Sequence, residues 1–331
     1  MLGSCPGAAE WLAVESRLGL ADRTIDAYGR AIVDFLVVCE RHRVDPLTAT
    51  RAGVSVFVAD MRERDVARAP KRGSAGTGLS NATIQLRLVA VRLFYDYLVA
   101  EGVRATNPVG RGSVRPGSDS RGLVTREYRQ PWIPSDEQWR SLLVHARVES
   151  VRTRTMFAFA YDTGLRREEL CCLATSDLDP AHRSVRVRAE TTKSRRGRTV
   201  VYSAATGELL SEYLVHRRTL SRARGGLWLS ESRRNYAQPL SLWTWSKVVR
   251  ALADRAELRE FSTHTLRHLC LTDLARSGWE LHQIATFAGH RNVSTTMRYI
   301  HLSGRELAER LNSSMSSIHT WRAQMNGEAL Q

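Results

Sequence analysis

Apolar residues recur every three or four positions through most of the first hundred residues, the spacing that lays one apolar stripe along a helix. Trp11, Leu12 and Val14 carry it over Ala9–Leu18, and Ile25, Tyr28, Ile32, Phe35, Leu36 and Cys39 carry it over Arg23–His42. A third helix is predicted over Arg51–Glu63. A fourth is predicted to start after Ser80, whose hydroxyl can cap it, and to run through Ile84, Leu88, Val91, Tyr95 and Leu98 to Gly102. The pattern then breaks. Residues 107–134 hold Pro108, Gly110, Gly112, Pro116, Gly117, Gly122, Pro131 and Pro134 with five arginines among them, the composition of an extended basic linker. Periodicity returns after Ser135, which with Gln138 has the spacing of a capping box. Helical patterns follow at Gly207–Thr219, Leu242–Ala256, His264–Ser277 and Trp279–Phe287. One stretch has period two instead. Ser184–Ala189 alternates Val and Arg, Arg198–Tyr202 supplies a β-branched return, and the polar Thr191–Gly197 joins them as a hairpin. The prediction is a mainly α chain with a small β-hairpin or sheet: a helical domain over 1–106, the linker over 107–134 and an α+β domain over 135–331.

Composition agrees with two domains. The chain has 331 residues, 43% hydrophobic and 25% charged, enough for two separate cores. No apolar run approaches the roughly 18 residues of a membrane span, and the N-terminus shows neither the basic nor the apolar region of a secretory signal. The expected location is therefore the cytoplasm. Five scattered cysteines (Cys5, Cys39, Cys171, Cys172, Cys270) fit neither a disulfide framework nor a zinc ribbon and read as buried, reduced thiols.

Charge changes the picture more. The formal net charge is +15, and through Arg104 the chain has 14 basic against 12 acidic side chains, so +13 lies downstream. An excess of this size favours a polyanion, and nucleic acid is the first candidate. Only Lys71, Lys193 and Lys247 are lysines; the other 46 basic residues are arginines. Lys71 and Arg72, in a Gly-containing basic loop, and Arg195, Arg196 and Arg198, in and beside the hairpin loop, are candidate phosphate contacts.

Four local patterns carry candidate chemistry. Thr163-Gly164-Leu165-Arg166-Arg167-Glu168-Glu169-Leu170 sits at a turn feeding a helix. Lys193 lies in the hairpin loop. His264 and Arg267 stand three apart, on one helix face. Gly289-His290 is followed nine residues later by Tyr299. His264 and His268 have a spacing that can hold zinc, but no Glu or Cys nearby completes such a site, so no metal is expected. Arg166 and Arg267 can each offer paired N–H donors to the nonbridging oxygens of a phosphodiester, where charge gathers in the transition state. His264 and His290 can add hydrogen bonds, and one of them can take the tyrosine proton as Tyr299 attacks phosphorus. Lys193 can protonate a departing alkoxide, which an arginine cannot readily do.

In order and spacing these patterns resemble the tyrosine site-specific recombinases, or phage-type integrases. In that family an Arg in a G-L-R-x-x-E-L segment, a hairpin Lys, an H-x-x-R, a G-H and a terminal Tyr form the active site. The resemblance assigns catalysis to Arg166, Lys193, His264, Arg267, His290 and Tyr299, with Glu169 in support. It implies a SAM-like core-binding domain upstream and a 3′-phosphotyrosyl DNA intermediate made without metal, ATP or other cofactor. The implied partners are double-stranded DNA with specific recombination sites, a homotetramer on DNA formed from monomers or dimers off it, and accessory proteins as further candidates. It also implies a bacterial, nucleoid-associated protein. Leu307, Leu311, Met315, Ile318 and Trp321 form an apolar stripe beyond Tyr299 that resembles the family's C-terminal helix, with packing on a neighbouring protomer or on its own chain both open. The linker and the insertion around Lys71–Gly78 favour the integrase or transposase of a mobile element. The alternatives are a Xer-like chromosome-dimer or plasmid resolvase and, more distantly, a type IB topoisomerase or a DNA-binding protein without chemistry.

Overall fold

The computed structural model describes residues 5, 7–64, 78–110, 124, 131–192, 195–292, 295–297, 311 and 314–322. The chain divides into two compact units, Met1–Arg129 and Gln130–Gln331. Each has its own hydrophobic core.

Among its described residues the first unit has four helices: α1 (Ala8–Arg17), α2 (Asp22–Arg41), α3 (Arg51–Glu63) and α4 (Asn81–Ala100). The stripes read from the sequence are the faces they bury. Trp11, Phe35, Phe57, Phe94 and Tyr95 are each fully enclosed, and Phe35 meets Phe57 edge-on at 5.3 Å. Ser80 caps α4 by accepting from the Thr83 amide. The Tyr95 hydroxyl, buried among apolar rings, donates to the Pro46 carbonyl at 2.7 Å, which meets its need for a partner. The start of the expected linker is not wholly extended. Asn107 donates to the Arg92 carbonyl and to Asp96, and Val109 and Val124 are buried in this unit's core. The loop residues Lys71 and Arg72 lie outside the described residues.

Among the described residues, the second unit contains a small sheet and the helices α5 (Asp136–Arg147), α6 (Val151–Thr163), α7 (Arg167–Cys171), α8 (Ala204–Leu220), α9 (Leu242–Arg255), α10 (Thr263–Arg276) and α11 (Leu281–Ala288), which pack on a larger core and on a smaller cluster of Cys270, Leu271, Ile284 and Ala288. The strands β1 (Leu178–Asp179), β2 (Ser184–Val187) and β3 (Arg198–Val201) are antiparallel in the order β1-β2-β3. The hairpin register sets Val185 against Val200 and Val187 against Arg198. Val185, Val187 and Val200 are buried, so the alternation seen in the sequence is the inward face of the sheet. Ser135 and Gln138 form the reciprocal capping box at the head of α5. Four of the cysteines are buried, while Cys172 is exposed, contrary to expectation. No helix among the described residues is long and apolar enough to cross a membrane.

Candidate active site

Helix α11 is short and ends in a Schellman-type turn. Gly289, in the left-handed conformation at φ +64, donates to the Thr286 carbonyl, and the His290 amide donates to Ala285. That leaves the carbonyls of Phe287 and Ala288 at the negative end of the helix without backbone donors among the described residues. Arginines supply them. Arg198 Nε donates to the Phe287 carbonyl at 2.9 Å, and Arg267 Nη2 donates to Ala288 at 2.6 Å. Arg166 Nη2 stands 3.5 Å from the Gly289 carbonyl, a long contact with the next residue of the turn. The turn that carries His290 is thus where three guanidinium groups from three separate segments meet.

Arg267 is on α10 and is 1% exposed. Its Nη1 donates to the Gly164 carbonyl at 2.6 Å, joining this helix to the turn before Arg166. Gly164 closes α6 in the left-handed conformation, φ +55, so the chain can reverse there and deliver Arg166 to the head of α7.

Glu169 is the hub of the other side. Its side chain is 1% exposed, and it accepts from the Arg166 amide at 3.0 Å and from Arg166 Nη1 at 2.8 Å. Arg198 adds Nη2 at 2.8 Å and Nη1 at 3.2 Å. Burial pushes the Glu169 carboxyl up. The hydrogen bonds and charges of Arg198 and Arg166 outweigh that and hold it at about 2. Glu169 is therefore an ionised acceptor at any ordinary pH, and it fixes the Arg166 guanidinium while that side chain stays 28% exposed.

The two candidate histidines are held differently. His290 Nε2 lies 3.0 Å from Arg267 Nη2, and its Nδ1 lies 2.9 Å from the Thr296 hydroxyl. An arginine only donates, so Nε2 accepts and the ring proton sits on Nδ1, facing Thr296. Burial, then the charges of Arg267, Arg166 and Arg198, push the imidazole down to about 3. His264, four residues from His268 and packed edge-on against it at 4.4 Å, is exposed at the rim. Partial desolvation and the charges of Arg267 and Arg166 hold it below the ordinary histidine range.

The structure thus brings Arg166, Glu169, His264, Arg267 and His290 together. Lys193 and Tyr299 lie outside the described residues. The described flanks of the hairpin loop are tied by Thr192, whose buried hydroxyl donates to Ala189 and accepts from the Arg196 amide. Arg195 and Arg196 are exposed, as a phosphate contact requires. Arg198 differs from that expectation: its side chain is 10% exposed and its donors are spent on Glu169 and Phe287. The signal was strand parity, since Arg198 shares the inward face of β3 with buried Val200. Thr296, fully buried against His290, was also missed, and no spacing rule marks it.

A model of the phage integrase family matches residues 135–306, more than half of the chain and all of the elements just described. The chain belongs to the phage integrase family. Membership makes it a tyrosine recombinase, a DNA strand-transferring enzyme. Among similar proteins, the tyrosine recombinase XerC of Herpetosiphon aurantiacus is 27% identical over 289 residues, 86% of either chain. XerC of Proteus mirabilis is 30% identical over 243 residues, 70% of this chain and 72% of its own. The fold matches that of the Tn1549 transposon integrase in complex with transposon right end DNA, with a TM-score of 0.68 at 16% identity, covering 93% of this chain and 98% of that one.

Proposed function

We propose that this chain is a site-specific recombinase that cleaves and rejoins duplex DNA through a 3′-phosphotyrosyl link to Tyr299. The observation that carries it is the gathering of Arg166 and Arg267 at one turn, each held by buried acceptors, where together they form a rigid cationic site for a phosphodiester. Tyr299 Oη attacks phosphorus, the O–P bond forms as the P–O5′ bond breaks, and the tyrosine proton passes to a base. His290 is a poor base in this arrangement, because its Nε2 lone pair already accepts from Arg267. That leaves His264 as the acceptor, with His290 as a hydrogen-bonding group that orients Arg267. Lys193 donates the proton that the 5′-oxygen gains. The second transfer reverses these roles on another strand, so the ester bond energy is conserved and neither ATP nor metal is required. The upstream helical unit acts as the core-binding domain, Lys71, Arg72, Arg195 and Arg196 contact the backbone, and strand exchange takes place in a homotetramer.

For the biological role we favour the integrase or transposase of a mobile element, on the basic linker and the insertion around Lys71–Gly78; the fold match to a transposon integrase is compatible with it. A resolvase of the Xer kind is the second reading, and the relatives named XerC, matched over 86% of the chain, favour it.

The test begins with covalent selection. Wild-type protein is incubated with a library of nicked duplexes of randomised sequence, and DNA that stays attached after denaturation is recovered and sequenced. The recovered site then serves as the substrate for variants. Tyr299→Phe should bind it as wild type does and form no adduct. An adduct that persists in Tyr299→Phe assigns the nucleophile elsewhere and overturns the mechanism.

A further inference from the structure

We propose that Arg198 is a positioning residue of the strand-transfer reaction: its guanidinium aims Glu169 at Arg166 and ties that pair to the turn carrying His290. The inference rests on the function proposed above and adds to it a residue that does not touch the DNA. Arg198 opens β3, directly after the loop that holds Lys193, and reaches across to two other elements. Through Nη1 and Nη2 it grips both oxygens of Glu169, and through Nε it grips the Phe287 carbonyl at the end of α11.

The packing around it leaves little room for another arrangement. A β-carbon built at Gly289 would stand 2.9 Å from Arg198 Nη1 and 3.1 Å from its Cδ. The turn thus lies close against this guanidinium, and a side chain at 289 would have to displace Arg198 as well as adopt a left-handed backbone. Glu169 is faced by two cations, Arg166 from the chain entering α7 and Arg198 from β3. If Arg198 is removed, burial still acts on the carboxyl while one of the two cations opposing it is gone. Glu169 then takes up a proton at a higher pH and loses its hold on Arg166. The consequence is a pH dependence that a purely structural brace would not produce.

The experiment measures first-order adduct formation on the selected nicked duplex at saturating DNA, across the acidic to neutral range, for wild type, Arg198→Gln, Glu169→Gln and the double variant. Arg198→Gln should slow adduct formation by about 10- to 100-fold, the usual loss when a supporting hydrogen bond is cut, while DNA affinity stays within about threefold. Its rate should also fall further as pH drops, on an acid limb additional to the one that protonation of the base His264 gives wild type. The double variant should be no slower than the slower single variant and should show no such limb, because Arg198 acts through Glu169. Wild-type rates in Arg198→Gln, or a slowdown whose pH profile matches that of wild type and that multiplies fully with Glu169→Gln, overturn the proposal. If Arg198→Gln does not fold, Arg198→Lys keeps a cation beside Glu169 but cannot also hold Phe287; it should give an intermediate slowdown, and a wild-type rate overturns the proposal equally. A wild-type protein that forms no adduct at all counts instead against the recombinase reading.

Discussion

Glu169 and His290 show how one cluster of arginines sets two opposite protonation problems. The carboxylate is held ionised to about 2 by Arg198 and Arg166, while burial, Arg267 and these two cations keep the imidazole neutral down to about 3. For His290 the sign follows directly. An unfolded histidine titrates near 6.5, so below that pH the unfolded chain binds a proton that the folded chain refuses. Stability must then fall as pH drops from about 7 towards about 4, and unfolding should take up close to one proton from this site. Glu169 adds a loss of the same direction at lower pH, as it nears its folded value. Denaturant unfolding at several pH values should show a shallower loss between about pH 7 and about pH 5 in His290→Gln than in wild type. Equal slopes would mean that His290 is protonated in the folded chain. At this scale the sequence was partly legible. Arg166, Glu169, His264, Arg267 and His290 stand out by motif order, whereas Arg198 was grouped with its exposed neighbours because adjacency in sequence hid the parity of the strand.

Elements were legible where one face is buried and the other wet. The stripes of α2 and α4 and the alternation of β2 gave those elements to within a few residues. Helix α6 has no such stripe: Thr153, Thr155, Met156, Phe157, Phe159 and Ala160 are all buried, so it lies inside the unit and its apolar positions run nearly all round. Strand β1 is two residues long, too short for any alternation, and exists only through its pairing with Ser184 and Val185. Caps were the most legible local feature, because they depend on chemistry within four residues. The box at Ser135 is an example, with the hydroxyl accepting from the Gln138 amide at 3.3 Å and Gln138 answering at 2.9 Å. Ser135→Ala should lower unfolding stability by about 1 kcal/mol with no change in DNA affinity. A loss below about 0.3 kcal/mol in a denaturant titration would show that water replaces the cap at no cost.

At the scale of the whole chain, charge is unevenly spread and one apolar face lies exposed. Of the net +15, +13 lies beyond Arg104, in the part that carries the candidate site. Leu311, Met315, Ile318 and Trp321 of the C-terminal stripe are 39–61% exposed, so the face predicted from their spacing is not covered by the described residues of this chain. Leu307 lies outside the described residues. The two units part at Arg129, after Val109 and Val124 have packed with the helices before them. These features serve one central claim, that the chain joins itself covalently to DNA at Tyr299 while two fixed arginines hold the phosphate. The most direct measurement is mass spectrometry of the adduct formed on the selected nicked duplex, trimmed with nuclease and digested with protease. A nucleotide joined through its 3′-phosphate to the peptide containing Tyr299 is the expected product. The same mass on another peptide, or a 5′-linked nucleotide on this one, would contradict the claim.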